Sequence, residues 1–386
     1  MVLGKNEMEY IIRNTSIITG KKNLEHLLSF KNFPVFIGAT TQLENKDFFA
    51  DLSFSIDKDS GIIQLDKLVP PDVIYSEYHS EALGKMWENH HREFIKFISR
   101  YKFSTVLEIG GSNGSLAKAY IKNYKIKKWT IVEPNPTVSS TKIIEVIQTL
   151  FDENTKIRES VDAVIHSHVL EHLYSPRDFL SHISKFLEKG KYHIFSVPNL
   201  YMYLKNKQSN TINFEHTILL TEYFIDYLLP LYGFKVIKKK RYFDHSIFYS
   251  TKKIENKIIE KEFFSPGENK YEEYKYLFFK AVVEVDNFVD KVNDEIKDTK
   301  EPVYLFGAHV FSQMLIYRGI SKKVIAVLDN STIKHGKRLY GTNKIILSPE
   351  VIKSCEHPTV ILRIGSYQNE IRKQLRKINR NVNILE

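Results

Sequence analysis

Two groupings of histidine and acid carry the chemistry open to this 386-residue chain. One is His168-Val-Leu-Glu171-His172 and the other is Glu215-His216. Histidine exchanges a proton near neutral pH because its reference pKa is about 6.5. An adjacent carboxylate can orient the ring or hold a hydroxyl of a bound molecule. His216 is therefore read as a general base, with Glu215 and His172 beside it. His168 to His172 also matches H-x-x-E-H, an inverted zinc-protease spacing whose residues would share one face of a helix. Proteolysis is set aside, because this stretch follows a strand in an α/β pattern. A divalent ion on some of His168, Glu171, His172, Glu215 and His216 stays open, but no metal site is assigned.

A third signal is a glycine-rich turn. The apolar run Val106-Leu107-Glu108-Ile109 enters Gly110-Gly111-Ser112-Asn113-Gly114, and a helical pattern follows. Glycines let the backbone approach a ligand closely, and amides at a helix start offer donors. The spacing Glu-x-Gly-x-x-x-Gly differs from the dinucleotide fingerprint and suits a methionine-type ligand better. Glu133, 23 residues beyond Gly110 and followed by Pro134, ends the next strand, where a carboxylate can accept two ribose hydroxyls.

The elements that must hold these residues alternate. Strands are predicted at Thr105–Ile109, Trp129–Val132, Ala163–His166 and His193–Val197, with helices between them. Another helix, opening at Val169, is predicted to carry Glu171 and His172. Residues 81–100 read as a helix, with Leu83, Trp87, His91, Phe94, Phe97 and Ile98 near one face. Residues 1–70 show short extended segments. Residues 270–297 read as one long helix whose stripe runs from Tyr274 through Phe278 and Val285 to Ile296. That stripe serves either packing inside the chain or a contact between copies. A second α/β pattern follows: strand Val303–Phe306, helix Val310–Tyr317, strand Val324–Leu328 ending at Asp329, strand Val360–Ile364 and helix Asn369–Ile378. The expected class is α/β with two Rossmann-like units. Boundaries are placed at 1–80, 81–250, a helical connector 251–300, and 301–386.

Composition is ordinary for a globular chain, with 42% hydrophobic and 26% charged residues. No apolar run approaches the ~18–20 residues of a membrane span, and the N-terminus lacks a secretory core, so a cytoplasmic protein is expected. The single cysteine, Cys355, excludes an internal disulfide and a thiolate metal cluster within one chain. The net charge of +10 suits phosphorylated small molecules as well as nucleic acid, and no RNA-binding signature accompanies it.

The glycine turn, Glu133 and the Asp162–His172 segment resemble the class I S-adenosylmethionine-dependent methyltransferases over residues 81–250. The resemblance implies that Glu108 and Gly110 to Gly114 border the methionine part. It also implies that Glu133 and Pro134 face the ribose and that His168 lines the cofactor cleft. Across nearly the whole chain the sequence resembles the three-domain sugar C-methyltransferases, which act on sugars carried on nucleoside diphosphates. The residues behind this are Ser60-Gly-Ile-Ile-Gln64-Leu65, Tyr78-His-Ser80, Phe214-Glu215-His216, Leu305-Phe-Gly307-Ala308, Val327-Leu-Asp329-Asn330 and Lys334-His-Gly336-Lys337. That likeness implies a nucleoside-diphosphate sugar as partner, Tyr78 as a further contact in the cleft, and a role in capsule or surface polysaccharide assembly. Two departures matter. The family's zinc cysteines fall at Ser16, Thr19, Asp57 and Ser60, so an N-terminal domain of that shape without zinc is expected. The family's tyrosine before the Glu-His pair is Asn213 here, which favours a sugar hydroxyl over a carbon as acceptor. C-methylation of a keto-deoxysugar is the alternative. An RNA or protein methyltransferase, or a non-catalytic binding protein, are the remaining readings.

Overall fold

The computed structural model describes residues 9–75, 85–157, 159–254 and 269–386. The N-terminal part contains β1 (Ile11–Ile12), β2 (Leu24–Pro34), β3 (Ala39–Thr40), β4 (Phe49–Asp57), β5 (Ile63–Leu65), β6 (Lys67–Leu68) and the short α1 (Pro71–Ile74). Strands β2, β4 and β5 form one antiparallel sheet. The short segments expected here include a long pair, β2 with β4. Register shifts between His26 and Leu28 and between Phe30 and Phe33 break the two-residue period, which hides the strand from pattern reading.

The central part runs α2 (Lys85–Ile98), β7 (Thr105–Ile109), α3 (Ser115–Asn123), β8 (Lys128–Val132), β9 (Ile144–Ile147), β10 (Ala163–Ser167), α4 (Pro176–Phe186), β11 (Tyr192–Pro198), α5 (Leu200–Lys205), α6 (Glu222–Leu231), β12 (Phe234–Tyr242) and β13 (Ser246–Lys253). The sheet order is β12-β13-β11-β10-β7-β8-β9. Strands β7 to β11 are parallel, while β13 runs antiparallel to β11 and β12 antiparallel to β13. The parallel strands are buried on both faces, so they read as apolar runs without alternation. Their carboxyl ends converge on one edge, where ligands of open α/β sheets bind.

One predicted element moves. The segment after β10 is not a helix opening at Val169: Leu170–His172 makes a single 3-10 turn and α4 starts at Pro176. Proline keeps the preceding Ser175 extended, and the Ser175 side chain caps the helix at Asp178 N. His168 and His172 therefore do not share a helix face, and the H-x-x-E-H spacing loses its metalloprotease meaning.

α7 (Tyr271–Ile296) buries Tyr274, Phe278, Ala281, Val285, Phe288, Val292 and Ile296. Phe278 meets Phe54 of β4 with ring centroids 5.2 Å apart. The stripe thus packs inside the chain. Beyond it come β14 (Val303–Phe306), α8 (Val310–Tyr317), β15 (Val324–Leu328), β16 (Arg338–Leu339), β17 (Ile346–Leu347), β18 (Thr359–Ile361), α9 (Gln368–Ile378) and β19 (Asn383–Leu385). A parallel sheet of order β17-β15-β14-β18-β19 results. Strand β16 pairs with β3, and Arg338 holds the fully buried Asp47 carboxylate at 2.5 and 2.6 Å, so the first and last parts are joined. No helix among the described residues is long and apolar enough to cross a membrane.

The four positions of the family's zinc cysteines come together. Asp57 is wholly buried, and its Oδ2 accepts hydrogen bonds from Ser16 Oγ at 2.7 Å, Thr19 Oγ1 at 3.1 Å and Ser60 Oγ at 2.6 Å. A carboxylate hub satisfied by three hydroxyls offers no thiolate and no spare lone-pair geometry for zinc, so zinc does not fit here. Packing contributes as well: Phe33 and Val35 are buried.

Candidate active site

The glycine turn joins β7 to α3 on the ligand edge of the central sheet. Gly110, Ser112 and Gly114 take positive φ values of 74°, 42° and 70°. A Cβ on Gly110 would lie 2.7 Å from Val169 Cγ2, so the turn rests directly on the segment that follows His168. Asn113 Oδ1 accepts from Ser115 N at 2.8 Å and starts α3. Glu133 stands at the end of β8, its two oxygens held by Ser112 N at 3.1 Å and Asn135 N at 3.0 Å. Pro134 follows, its carbonyl accepting from Gln148 Nε2. Glu108 lies beneath the turn, where Trp129 Nε1 donates to its Oε2 at 2.7 Å. Burial pushes the Glu108 carboxyl up to about 7, against the pull of Trp129. This cradle and its fixed acid fit the sulfonium cofactor expected from the motif.

A cleft of about 740 Å³ lies next to the cradle. Its floor holds His168, Glu171, His172, Asn213, Glu215 and His216. The facing wall comes from the C-terminal part: Gly307, His309, Asp329 to Lys334, and Tyr367. Asp329 Oδ2 accepts from Ala308 N at 2.8 Å and from Lys334 Nζ at 3.2 Å, which ties that wall together. Tyr78 lies outside the described residues, as do His79 and Ser80.

Three elements set the floor. Asn213 Oδ1 accepts from Glu215 N at 2.8 Å and His216 N at 2.9 Å, and its Nδ2 donates to the Asn210 carbonyl. This side-chain turn aims the Glu-His pair. Next, Thr217 O accepts from Leu65 N at 2.9 Å and from Arg13 at 2.9 Å, while Leu219 N donates to Ile63 O at 2.8 Å. Strand β5 thus clamps the loop from the far side, which explains the Ile63–Leu65 part of the Ser60–Leu65 motif. Gly61 in that motif is pressed onto α7: a Cβ there would sit 2.3 Å from Lys270 C. Finally, His172 Nδ1 donates to the Glu215 carbonyl at 3.0 Å.

Glu171 is 1% exposed and neither of its oxygens has a hydrogen-bond partner. Oε1 stands 3.4 Å from His168 Nδ1 and 3.7 Å from His172 Nε2. Burial pushes this carboxyl up, but His168, His172 and His216 outweigh it and hold it at about 2. Burial lowers His216 to about 4, helped by His172 and opposed by Glu171 and Glu215, and its Nδ1 has no partner. His216 is therefore a neutral imidazole at physiological pH, able to take a proton.

The sequence-predicted residues divide into the cradle (Glu108, Gly110 to Gly114, Glu133, Pro134) and the floor (His168, His172, Glu215, His216). Pattern reading missed Trp87, His90 and His245, which gather around His168, and His309 on the opposite wall. Trp87 and His90 share α2, but His245 and His309 come from other elements, so no spacing joins them to His168.

Comparison with known proteins follows the same division. Residues 85–239 match a family described as a methyltransferase domain, and residues 250–383 match the C-methyltransferase C-terminal domain. No curated protein matches the chain. Similar solved structures include the N-methyltransferase NodS of Bradyrhizobium japonicum WM9, at 14% identity over 44% of this chain and 97% of that one, TM-score 0.35. Human N-acetylserotonin methyltransferase is similar at 17% identity over 44% and 53%, TM-score 0.37. An O-methyltransferase family protein from Burkholderia thailandensis is similar at 10% identity over 44% and 57%, TM-score 0.36. With the cradle and cleft described above, the matched methyltransferase domain marks the chain as an S-adenosylmethionine-dependent methyltransferase whose residues 250–383 are similar to the C-methyltransferase C-terminal domain.

Proposed function

We propose that the enzyme methylates a carbon next to the carbonyl of a nucleotide-linked keto-deoxysugar, in the service of surface polysaccharide assembly. The observation that carries the reading is the neutral His216 beside His172 on the floor of a cleft walled by the C-terminal part. S-adenosylmethionine supplies an electrophilic methyl group. His216 takes the proton from the acceptor carbon, and His172, its Nε2 3.7 Å from buried Glu171, faces the oxygen on which negative charge develops. The C-methyltransferase description of residues 250–383 favours carbon. Asn213, the residue that favours oxygen, has its side chain engaged in building the turn under Glu215 and His216. The substitution of tyrosine there is accounted for by that turn.

The test is direct. The protein is incubated with S-adenosylmethionine and a panel of nucleoside-diphosphate sugars, keto and non-keto, and the new methyl is located by NMR. A carbon-bound methyl on a keto sugar is the expected product. An oxygen-bound methyl would restore the hydroxyl reading, and transfer to RNA or protein alone would overturn both.

A further inference from the structure

Three histidines meet at one point of the cleft wall. His90 comes from α2, His168 from the end of β10 and His245 from the β12–β13 turn. Each can present one nitrogen so that all three lie within 4.8 Å of one another. Their ring centroids stand 5.3 Å (His90–His168), 5.6 Å (His90–His245) and 5.7 Å (His168–His245) apart. Three imidazoles bound to one zinc ion at about 2.1 Å in tetrahedral directions place their ring centres about 5 Å apart. The observed spacing exceeds that by only a few tenths of an ångström.

Packing alone gives a poor account of this grouping. His90 is fully buried, one nitrogen bonded to Ser196 Oγ at 2.9 Å while Nδ1 has no partner. His168 holds a left-handed backbone with φ 54°, a costly conformation for a residue with a side chain. Glu171 is buried with neither oxygen in a hydrogen bond, Oε1 standing 3.4 Å from His168 Nδ1. A cation would give the orphaned nitrogen a partner and balance Glu171 through the His168 ring. Such a carboxylate–histidine–metal arrangement fixes ligand orientation in metalloproteins. The other rings have outer partners too, Ser196 Oγ on His90 Nε2 at 2.9 Å and Ser246 Oγ on His245 Nδ1 at 2.5 Å; with Glu171 on its Nδ1, His168 would ligate through Nε2, which Ser246 Oγ, now 3.0 Å away, would give up to the ion.

We infer that His90, His168 and His245 form a binding site for a divalent transition-metal ion, zinc or a metal of the same ligand preference. Three neutral nitrogen donors suit zinc, cobalt, nickel or copper and disfavour magnesium or calcium. His168, His245 and Trp87 line the cleft while His90 lies behind them, so the fourth position faces the substrate side. Three protein ligands with one open position is the catalytic pattern rather than the structural one. Resting on the methyl-transfer reading, an ion held by His90, His168 and His245 would supply Lewis-acid polarisation of an acceptor oxygen.

The experiment reads the ion, not turnover. Chelator-treated full-length protein is titrated with Zn²⁺ and Co²⁺, with bound metal measured by equilibrium dialysis and elemental analysis. One equivalent is expected, with the intense visible bands of four-coordinate Co²⁺. His245→Ala and the double variant His90→Gln/His245→Ala should lose it while circular dichroism stays native. Glu171→Gln should weaken binding about 10- to 100-fold, and His216→Ala should leave it intact. No stoichiometric ion in the wild type overturns the site. So does an ion retained in the double variant, or one lost with His216→Ala, which would move it to Glu171, His172 and His216. Because no substrate is present, failure here leaves the methyl-transfer reading standing, and failure of the sugar panel leaves the ion site standing.

Discussion

The imidazoles of His172 and His216 stand edge to face with centroids 5.0 Å apart. Because His172 Nδ1 is committed to the Glu215 carbonyl, its Nε2 is the nitrogen left to meet Glu171 and the cleft. The two rings therefore have different duties, and only His216 is placed to take a proton. His216→Ala should lower kcat by about 10²- to 10⁴-fold while S-adenosylmethionine affinity, read by calorimetry, stays at the wild-type value. Full turnover in this variant would remove His216 from the mechanism.

The acid limb of the pH profile tests the same assignment. With His216 lowered to about 4 by burial and by His172, against Glu171 and Glu215, its base form persists well below pH 6.5. The acid limb of kcat/KM should therefore bend nearer pH 4 than 6.5. A bend at 6.5 that survives His216→Ala would point to a different base.

Asn213 acts through the backbone it holds. Asn213→Ala removes the acceptor of two N–H groups and frees the Glu215–His216 turn. We expect kcat to fall at least ~10-fold, in keeping with the sensitivity of aligned groups to small displacements. Asn213→Asp, which keeps the accepting oxygen, should recover most of it. Equal loss in both variants would mean that the amide group itself does more than support the turn.

The Asp57 hub should matter for stability alone. Asp57→Ala leaves three hydroxyls without their shared acceptor and should cost about 3 kcal/mol, seen as a lower urea midpoint. Because an ion in the cleft would itself stabilise the fold, the control is the His90→Gln/His245→Ala variant, whose midpoint chelators should leave unchanged. A chelator-dependent drop in that variant's midpoint would contradict the hub as the sole tie at these four positions.

Glu108 links stability to pH in the opposite sense from most carboxylates. Its folded pKa is raised to about 7 by burial, so the folded state keeps a proton that the unfolded chain has already released above about 4.5. Stability should fall as pH rises from about 4.5 through 7, by about 3 kcal/mol in all. Glu108→Gln preserves an acceptor for Trp129 and removes the buried charge. Melting curves at pH 6 and 8 should show a drop for the wild type that the variant lacks.

Much of this was legible in the sequence where function is local. Strands Thr105–Ile109, Val303–Phe306 and Val324–Leu328 and helix Val310–Tyr317 appear at their predicted bounds. The glycine turn and Glu133 meet because successive parallel strands bring their carboxyl ends together. What stayed hidden depends on long-range contact. Nothing in the spacing of His90, His168 and His245 indicates that a helix, a strand end and a hairpin turn converge. The support of His216 by β5 links residues about 150 positions apart through backbone atoms, which side-chain patterns do not record. The bulges of β2 and the proline after Ser175 defeated periodicity for local reasons that the strand and helix rules do name.

The clamp of β5 on Thr217 has an evolutionary consequence. The donor half of the enzyme is local, held within β7, α3 and β8. The acceptor half is shared, with a floor steadied by the N-terminal sheet and a wall supplied by the C-terminal one. Exchange of either flanking module between related genes would alter which acceptor is admitted without disturbing the donor pocket.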